Sequence, residues 1–358
     1  MTRRGFLKAA IGLSLGAAGC RAAGRSNVAS GATIEAGRQD ETVNDRFRPG
    51  AVWLDSDGEL IQAHGGGVLF HEGVYYWFGE NKDAGTQPAR GRIRRLDVVG
   101  VNCYSSTDLL HWKNEGLALP AVKDDADSDL HPSGVVERPK VIYNERAARF
   151  VMWMHIDKGD YSYARAGVAS STSPAGPYQY LGSVQPNGAD SRDMTVYQDD
   201  DGQAYIFHSS EWNKTMRITR LSEDYLEPTD HSVREFVGRS REAPAVFKHE
   251  GRYTCITSGC SGWAPNAAEY AVSEAAMGPW TVMGNPCVGT PGQVATTFQA
   301  QSTFVLPVQD RPGAYIFMAD RWKPEDLGDS RYVWLPLEID GDSLRIRWLD
   351  EWDLSVFD

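Results

Sequence analysis

The sequence predicts an all-β protein, a five-bladed β-propeller with an active-site pocket on its central axis. Three observations support that fold. Five windows repeat one pattern: an apolar strand, a polar turn, then a second strand rich in aromatic and β-branched residues. With Tyr76, Val151, Tyr205, Tyr253 and Tyr315 as equivalent points, the gaps are 75, 54, 48 and 62 residues, the period of propeller blades. Amphipathic helix periodicity is nearly absent once the amino-terminal segment is passed. Two β-sandwiches, the alternative, would not produce five copies of one motif.

The amino terminus comes first. "TRRGFLKAA" sets Arg3 and Arg4 ahead of Phe6, Leu7 and Lys8, and the apolar run from Ala9 to Gly19 is eleven residues, too short to span a bilayer. Residues 1–20 therefore read as a twin-arginine-type signal, a receptor-read address rather than structure. The run ends in "AAGC", where Cys20 resembles the lipid-modified cysteine of a bacterial lipoprotein, although Ala17 stands where leucine is usual. Residues 21–45, polar and rich in Gly, Ala and Ser, read as a flexible tether. The expected location is the periplasm or outer-membrane surface of a bacterium, with the membrane reached only through lipid on Cys20.

Residues 46–358 hold the propeller. Its repeats are "AHGGGVLFHEGVYYWFGE", "VERPKVIYNERAARFVMWMHID", "SRDMTVYQDDDGQAYIFHSSE", "SREAPAVFKHEGRYTCITSG" and "QSTFVLPVQDRPGAYIFMADRW". Their turns carry Gly73, Gly202, Gly251 and Gly313, with Asn144 in the second blade, and glycine suits the positive φ of hairpin turns. A third strand follows each pair, as in "GVNCYSSTDLLHW" and "RAGVASSTSP", and the "SPAGPY" and "AMGPW" turns lead to a fourth. The acidic run "DDDG" at 199–202 looks like a calcium loop, but hairpin-turn chemistry explains it. A basic insertion at 82–100 and an acidic loop at 121–134 are placed near the blade rims, where long loops wall off pockets.

In a propeller the innermost strands run along the axis, so their starting residues converge. His64, Asp193 and Glu242 each lie nine residues before the turn glycines Gly73, Gly202 and Gly251. Glu137 and Gln301 hold the matching places in the other two blades. Three carboxylates in one pocket repel one another, which shifts their pKa values upward. Alternation along a strand turns Arg241 away from the face of its neighbour Glu242. Against this stand blander readings: Glu242 as a surface partner of Arg241, Asp193 as a turn cap, His64 as a hydrogen bond across the axis. The shared blade position of Glu137, Asp193 and Glu242 favours a site.

Composition narrows the partners. A formal net charge of −12 argues against nucleic acid. After Cys20 the cysteines are Cys103, Cys255, Cys260 and Cys287, with no CxxC pair and no zinc-ligand spacing, so buried free thiols are expected for at least two of them. No cofactor is required, though a structural cation on the axis, ligated by His64 through water, remains an option. Trp77 and Trp153 sit mid-strand and read as core. Trp263, in the loop "SGCSGWAPN", is the better platform for a sugar face, with Trp322 a further candidate.

Carboxylates around one pocket, without a metal set or a nucleophilic Ser/His pair, suggest general acid–base chemistry on an acetal. Here the residues resemble a known family. From Trp53 to Asp358, the motifs "IQAHGGG", "YYWFGENK", "GVNCYSSTDLLHW", "VERPKVIYN", "YSYARAGVA", "SRDMTVY", "SREAPAVFK", "SGCSGWAPNAAEYA" and "QSTFVLP" resemble the five-bladed propeller glycosidases of family 43, most of all the exo-β-1,3-galactanase group.

The resemblance implies roles. Glu242 matches the general acid, and Asp193 the carboxylate that positions it and tunes its pKa. Most of the family carries an aspartate base on the first inner strand, where this chain has "IQAHGGG" and no acid. The galactanase group shares that departure and assigns the water-directing role to a glutamine on the fifth blade, which Gln301 matches. Glu137 and Glu80 match substrate-binding acids, and Tyr161 and Ser261 match sites lining the sugar pocket. An amide is almost without basicity, so Gln301 is expected to hold the water while Glu137 or Asp193 supplies the net basicity. The implied activity is exo-acting, inverting release of terminal galactose from plant or microbial galactan or arabinogalactan. A furanosidase of the same family, acting on β-galactofuranose or α-L-arabinofuranose, is the first alternative. A non-catalytic glycan-binding propeller is the second.

Overall fold

A computed structural model of the chain describes residues 44–85 and 96–358. The signal at residues 1–20, Cys20, all but the last residues of the tether at 21–45, and the middle of the basic insertion at 82–100 lie outside the described residues.

Five sheets, each with four antiparallel strands, follow one another along the chain. The first blade holds β1 (His64–His71), β2 (Val74–Glu80), β3 (Gly100–Ser106) and β4 (Lys113–Pro120). The second holds β5 (Gly134–Asn144), β6 (Arg149–Lys158), β7 (Arg165–Ser171) and β8 (Gln179–Val184). The third holds β9 (Met194–Gln198), β10 (Ala204–Ser210), β11 (Thr215–Leu221) and β12 (Pro228–Glu235), and the fourth β13 (Arg241–His249), β14 (Arg252–Gly259), β15 (Glu269–Ser273) and β16 (Thr281–Gly284). The innermost strands touch in cyclic order, β1 to β5, β9, β13, the first long strand of blade five, and back to β1. That closed ring is the propeller.

The fifth blade departs from the simple repeat. Besides β18 (Gln301–Pro307), β19 (Tyr315–Arg321), β20 (Arg331–Asp340) and β21 (Ser343–Arg347), it takes a short fifth strand, β17 (Cys287–Val288), which pairs parallel with β21. Between β17 and β18 lies α1 (Pro291–Ala295), the one α-helix among the described residues. Its Thr290 cap and Gln293 form a reciprocal capping box. Phe47 and Trp352 exchange backbone hydrogen bonds of 2.8 and 3.0 Å, tying the start of the described chain to its end.

Sheets covered on both faces explain why the repeats read as nearly unbroken apolar runs. Adjacent residues of one strand enter different cores. Trp77 packs between blades five and one with Trp334 and Trp112, whereas Phe78 packs between blades one and two with Met152 and Met154. Five such cores fill the five gaps between blades. Trp77 and Trp153 are fully buried, as their mid-strand positions predict. Truncating either would cost about 3–5 kcal/mol. The turn glycines behave as expected, with Gly73 at φ +84° and Gly251 at φ +81°. The "DDDG" run closes a hairpin in which Gly202 N–H bonds Asp199 O at 2.9 Å, and Lys248 neutralises Asp199 and Asp200 at 2.8 Å each. Cys103, Cys255 and Cys287 are buried free thiols, and Cys260 is an exposed one.

Candidate active site

At the mouths of the inner strands the ladders break. The pairing of β1 with β2 slips between His64 and Gly67, that of β5 with β6 between Glu137 and Lys140, and that of β13 with β14 between Glu242 and Ala245. These are the same bulge three times. Its second residue takes a left-handed conformation in each blade: Gly65 at φ +61°, Arg138 at +57°, Ala243 at +53°. A bulge re-aims the side chains at the strand end, and here it turns the acids onto the axis. Glycine is required at the first: a Cβ on Gly65 would stand 2.2 Å from Glu80 Oε1.

The bulge also brings in Arg138. Strand alternation holds for Arg241, whose guanidinium points away to Thr257 at 2.9 and 2.7 Å. It fails for Arg138, which follows its acid through the bulge and points inward. The buried Arg138 guanidinium pairs with Asp193 Oδ2 at 2.8 Å and donates to Gln301 Oε1 at 2.6 Å and to Ser302 O at 3.2 Å. Gln301 in turn donates to Glu242 Oε1 and Ser258 Oγ, both at 3.0 Å, and accepts from Trp322 Nε1 at 2.8 Å. Asp193, Arg138, Gln301 and Glu242 thus form one hydrogen-bonded chain across four blades.

Two of the three glutamates of the pocket, Glu242 and Glu137, are driven in opposite directions. Burial, then repulsion from Asp193, pushes the Glu242 carboxyl up to about 8 despite the pull of Arg138. Burial acts on Glu137 too, but the hydrogen bond from His155 and the charge of Lys82 outweigh it and hold its carboxyl down to about 2. Behind Glu137 stands a relay: Tyr161 donates to its Oε1 at 2.9 Å, and His155 spans from its Oε2 at 3.2 Å to Asp157 at 3.0 Å. Burial opposes charge on His155, yet the two carboxylates raise it to about 9. At neutral pH Glu242 is therefore a protonated carboxyl and Glu137 a carboxylate. Asn213 Nδ2 lies 3.1 Å from Glu242 Oε2 while its own Oδ1 is buried without a partner. Turning that amide over would let Oδ1 accept from a Glu242 hydroxyl, which fits the protonated acid.

These groups surround a cavity of about 490 Å³ lined by Glu80, Glu137, Tyr161, Asp193, Glu242, Ser261, Trp263, Gln301 and Trp322 among others. Glu80 accepts from the Arg138 backbone N–H at 2.9 Å and pairs with Lys82, whose ammonium lies over the rings of Trp263 and Trp322. Ser261 donates to Ala264 O at 2.6 Å and shapes the loop. His64 requires correction as a substrate contact. Its side chain is fully buried, stacked on Tyr332 and 3.5 Å from Asp320, and it does not line the cavity. Glycine follows it, and Glu80 fills the place that a side chain at position 65 would take.

The sequence reading missed Arg138, His155, Asp157, Lys82 and Asn213. The alternation of His155 and Asp157 at i and i+2 was the one available signal. Glu137, His155 and Asp193 offer ligand atoms within 4.8 Å of one another, a spacing that suits a metal. Asp193 is already paired with Arg138, and His155 with Asp157. On the axis below, the buried Lys140 amine donates to Gly65 O at 2.7 Å.

The model of the glycosyl hydrolases of family 43 matches residues 68–319. A solved β-1,3-galactosidase of that family with galactodeoxynojirimycin superposes with a TM-score of 0.78 at 42% identity, covering 86% of this chain and all of that one. An exo-β-1,3-galactanase from Phanerochaete chrysosporium with β-1,3-galactotriose gives a TM-score of 0.77 at 37% identity, covering 86% of this chain and 68% of that one. The β-D-galactofuranosidase of Aspergillus niger is 26% identical over 215 residues, 53% of this chain and 59% of that protein's length.

Proposed function

Because the chain belongs to the glycosyl hydrolases of family 43, we propose that it is an exo-acting, inverting glycosidase that releases terminal galactose from β-1,3-galactan or arabinogalactan chains. The single observation that carries the reading is the split between Glu242, protonated to about pH 8, and Glu137, ionised down to about pH 2. Paired carboxyls whose environments drive them apart mark the acid and its counterpart. Glu242 gives its proton to the leaving oxygen. Asp193 keeps that proton in place by repulsion, and Arg138 holds Asp193 in line. Glu137, with both oxygens fixed by Tyr161 and His155, accepts from sugar hydroxyls together with Glu80.

The water-directing group follows from which lone pairs are free. Both acceptor positions of the Gln301 carbonyl are taken, by Arg138 and Trp322, so Gln301 fixes geometry and passes no proton unaided. Among the carboxylates facing Glu242, Asp193 has Oδ1 without a donor among the described residues, whereas each Glu137 oxygen already accepts one hydrogen bond. Asp193 is therefore the sink for the water's proton. No cofactor is needed. The Lys140 amine donates to the carbonyl of Gly65, which supports a reading in which no axial cation is required. The Arg3–Arg4 pair and Cys20 support export to the periplasm or outer-membrane surface as part of the same reading.

The resemblance to a β-D-galactofuranosidase keeps a furanoside substrate as the second reading. Aryl β-galactopyranoside, β-galactofuranoside and α-L-arabinofuranoside, assayed side by side, separate the two. The pyranoside is expected to react fastest, with inversion followed by NMR. Exclusive turnover of a furanoside would overturn the galactanase reading. A glycan-binding propeller without turnover would need no acid kept protonated near pH 8, and detectable hydrolysis dependent on Glu242 excludes it.

A further inference from the structure

The turn joining β10 to β11 carries a feature that the acid–base groups do not use. Glu211, Trp212 and Asn213 lie in succession at φ +56°, +58° and +61°, a left-handed run that non-glycine residues rarely enter. Asp190 holds it there: its Oδ1 accepts from Glu211 N–H at 2.6 Å and from Ser210 Oγ at 2.8 Å, while its Oδ2 accepts from Trp212 N–H at 3.1 Å and pairs with Arg192. The outcome is a rigid turn that lifts Trp212 clear of the surface at 70% exposure, the highest of any large apolar side chain among the described residues. One face of the indole lies on the Arg192 guanidinium, 4.3 Å from the ring centre. The rest of the ring is open.

Its place relative to the chemistry is fixed on both sides. Arg192 and Asn213 both line the catalytic cavity, and the Asn213 amide touches Glu242 Oε2 at 3.1 Å. A general acid stands at the oxygen of the bond being broken, so the departing group must leave past the acid's outer side. On that side lies Asn213, and beside Asn213 lies Trp212. An exposed indole with a charged backing on one face presents a flat apolar surface with no core to join.

We propose that Trp212 is the platform for the sugar on the leaving side of the scissile bond, a pyranose ring whose C–H face stacks on the open indole, with Asn213 reaching its hydroxyls. The proposal rests on the glycosidase reading and adds to it: the chain selects glycans over small leaving groups through this turn. Trp212 binds the departing sugar and takes no part in proton transfer.

Two donors test this, β-1,3-galactobiose, which carries a sugar on the leaving side, and β-galactosyl fluoride, which carries none. In Trp212→Ala the ratio of kcat/KM for the disaccharide to that for the fluoride is expected to fall about tenfold or more, as loss of roughly 1.4 kcal/mol or more requires. The loss should appear in KM, and Trp212→Phe should recover part of it. An unchanged ratio, with wild-type enzyme active on both donors, would show that Trp212 only shields Arg192 and would overturn the platform alone. A wild-type enzyme inert toward both would remove the galactosidase reading and the platform with it.

Discussion

Gln301 donates to Glu242 across 3.0 Å, so a fifth-blade amide holds the fourth-blade acid. The same amide is bound on its carbonyl side by Arg138 and Trp322. A residue with both ends engaged transmits position. It also tunes the acid, because an N–H directed at a carboxyl oxygen favours the ionised form.

Opposite shifts follow for two neighbours of Glu242. The enzyme should lose kcat/KM above about pH 8 as Glu242 ionises. Asp193→Asn removes the repelling charge, so the alkaline limb should move to lower pH. Gln301→Ala removes the stabilising donor, so the limb should move to higher pH. Profiles of kcat/KM from about pH 5 to 10 check both, and a shared direction for the two variants would refute this electrostatic assignment.

Glu242→Gln should lower hydrolysis of a galactan by about 10²–10⁴, the usual worth of general acid catalysis. A dinitrophenyl galactoside, whose leaving group departs without a proton, should lose far less. Equal losses on both substrates would move the acid elsewhere. Gln301→Ala should lower kcat on the fluoride as well, because the water is misplaced whichever group leaves. Full retention of that rate would remove Gln301 from the reaction.

His155 couples the pocket to stability. Its pKa is raised to about 9 by Asp157 and Glu137 against the effect of burial. A base raised on folding stabilises fully below its ordinary value near 6.5, and that contribution fades as pH climbs through 9. In His155→Gln the pair Glu137 and Asp157 loses its bridging charge, which should cost about 3–5 kcal/mol near neutral pH. Urea unfolding at several pH values should show the gap between wild type and variant narrowing from about pH 7 to 10. A gap independent of pH would mean that packing, not charge, is lost.

The ring and the acids were legible in the sequence because their signals are local and repeated. Counting back from turn glycines locates Asp193 and Glu242, since hairpin length is fixed by pairing. What escaped is what the bulge decides. "VERPKVIY" shows Glu137 and Arg138 side by side, and simple alternation sends one of them outward; the left-handed φ at Arg138 sends both inward. His64 fails in the converse way. Its count is correct, but its side chain is buried against Tyr332 and Asp320 of the fifth blade, and no pattern within "IQAHGGG" reports such distant neighbours. Trp212 looks like an ordinary hairpin turn until three successive residues are seen to share one unusual conformation.

The axis offers the last test. Lys140 is buried and donates to Gly65 O at 2.7 Å, with Arg138 O at 3.5 Å, the carbonyls of two bulge residues. Burial, then repulsion from Arg138, depresses its pKa to about 7. A base depressed on folding makes stability rise with pH between about 7 and its ordinary value near 10.4. Lys140→Met leaves Gly65 O without its donor and should cost about 1–3 kcal/mol. The same substitution should abolish that part of the rise, so the destabilisation relative to wild type grows toward alkaline pH. Since the amine already occupies the position, excess chelator should change neither Tm nor kcat/KM of the wild type. A fall in Tm on chelation, restored by a divalent cation, would show that a metal holds the axis and that Lys140 does not.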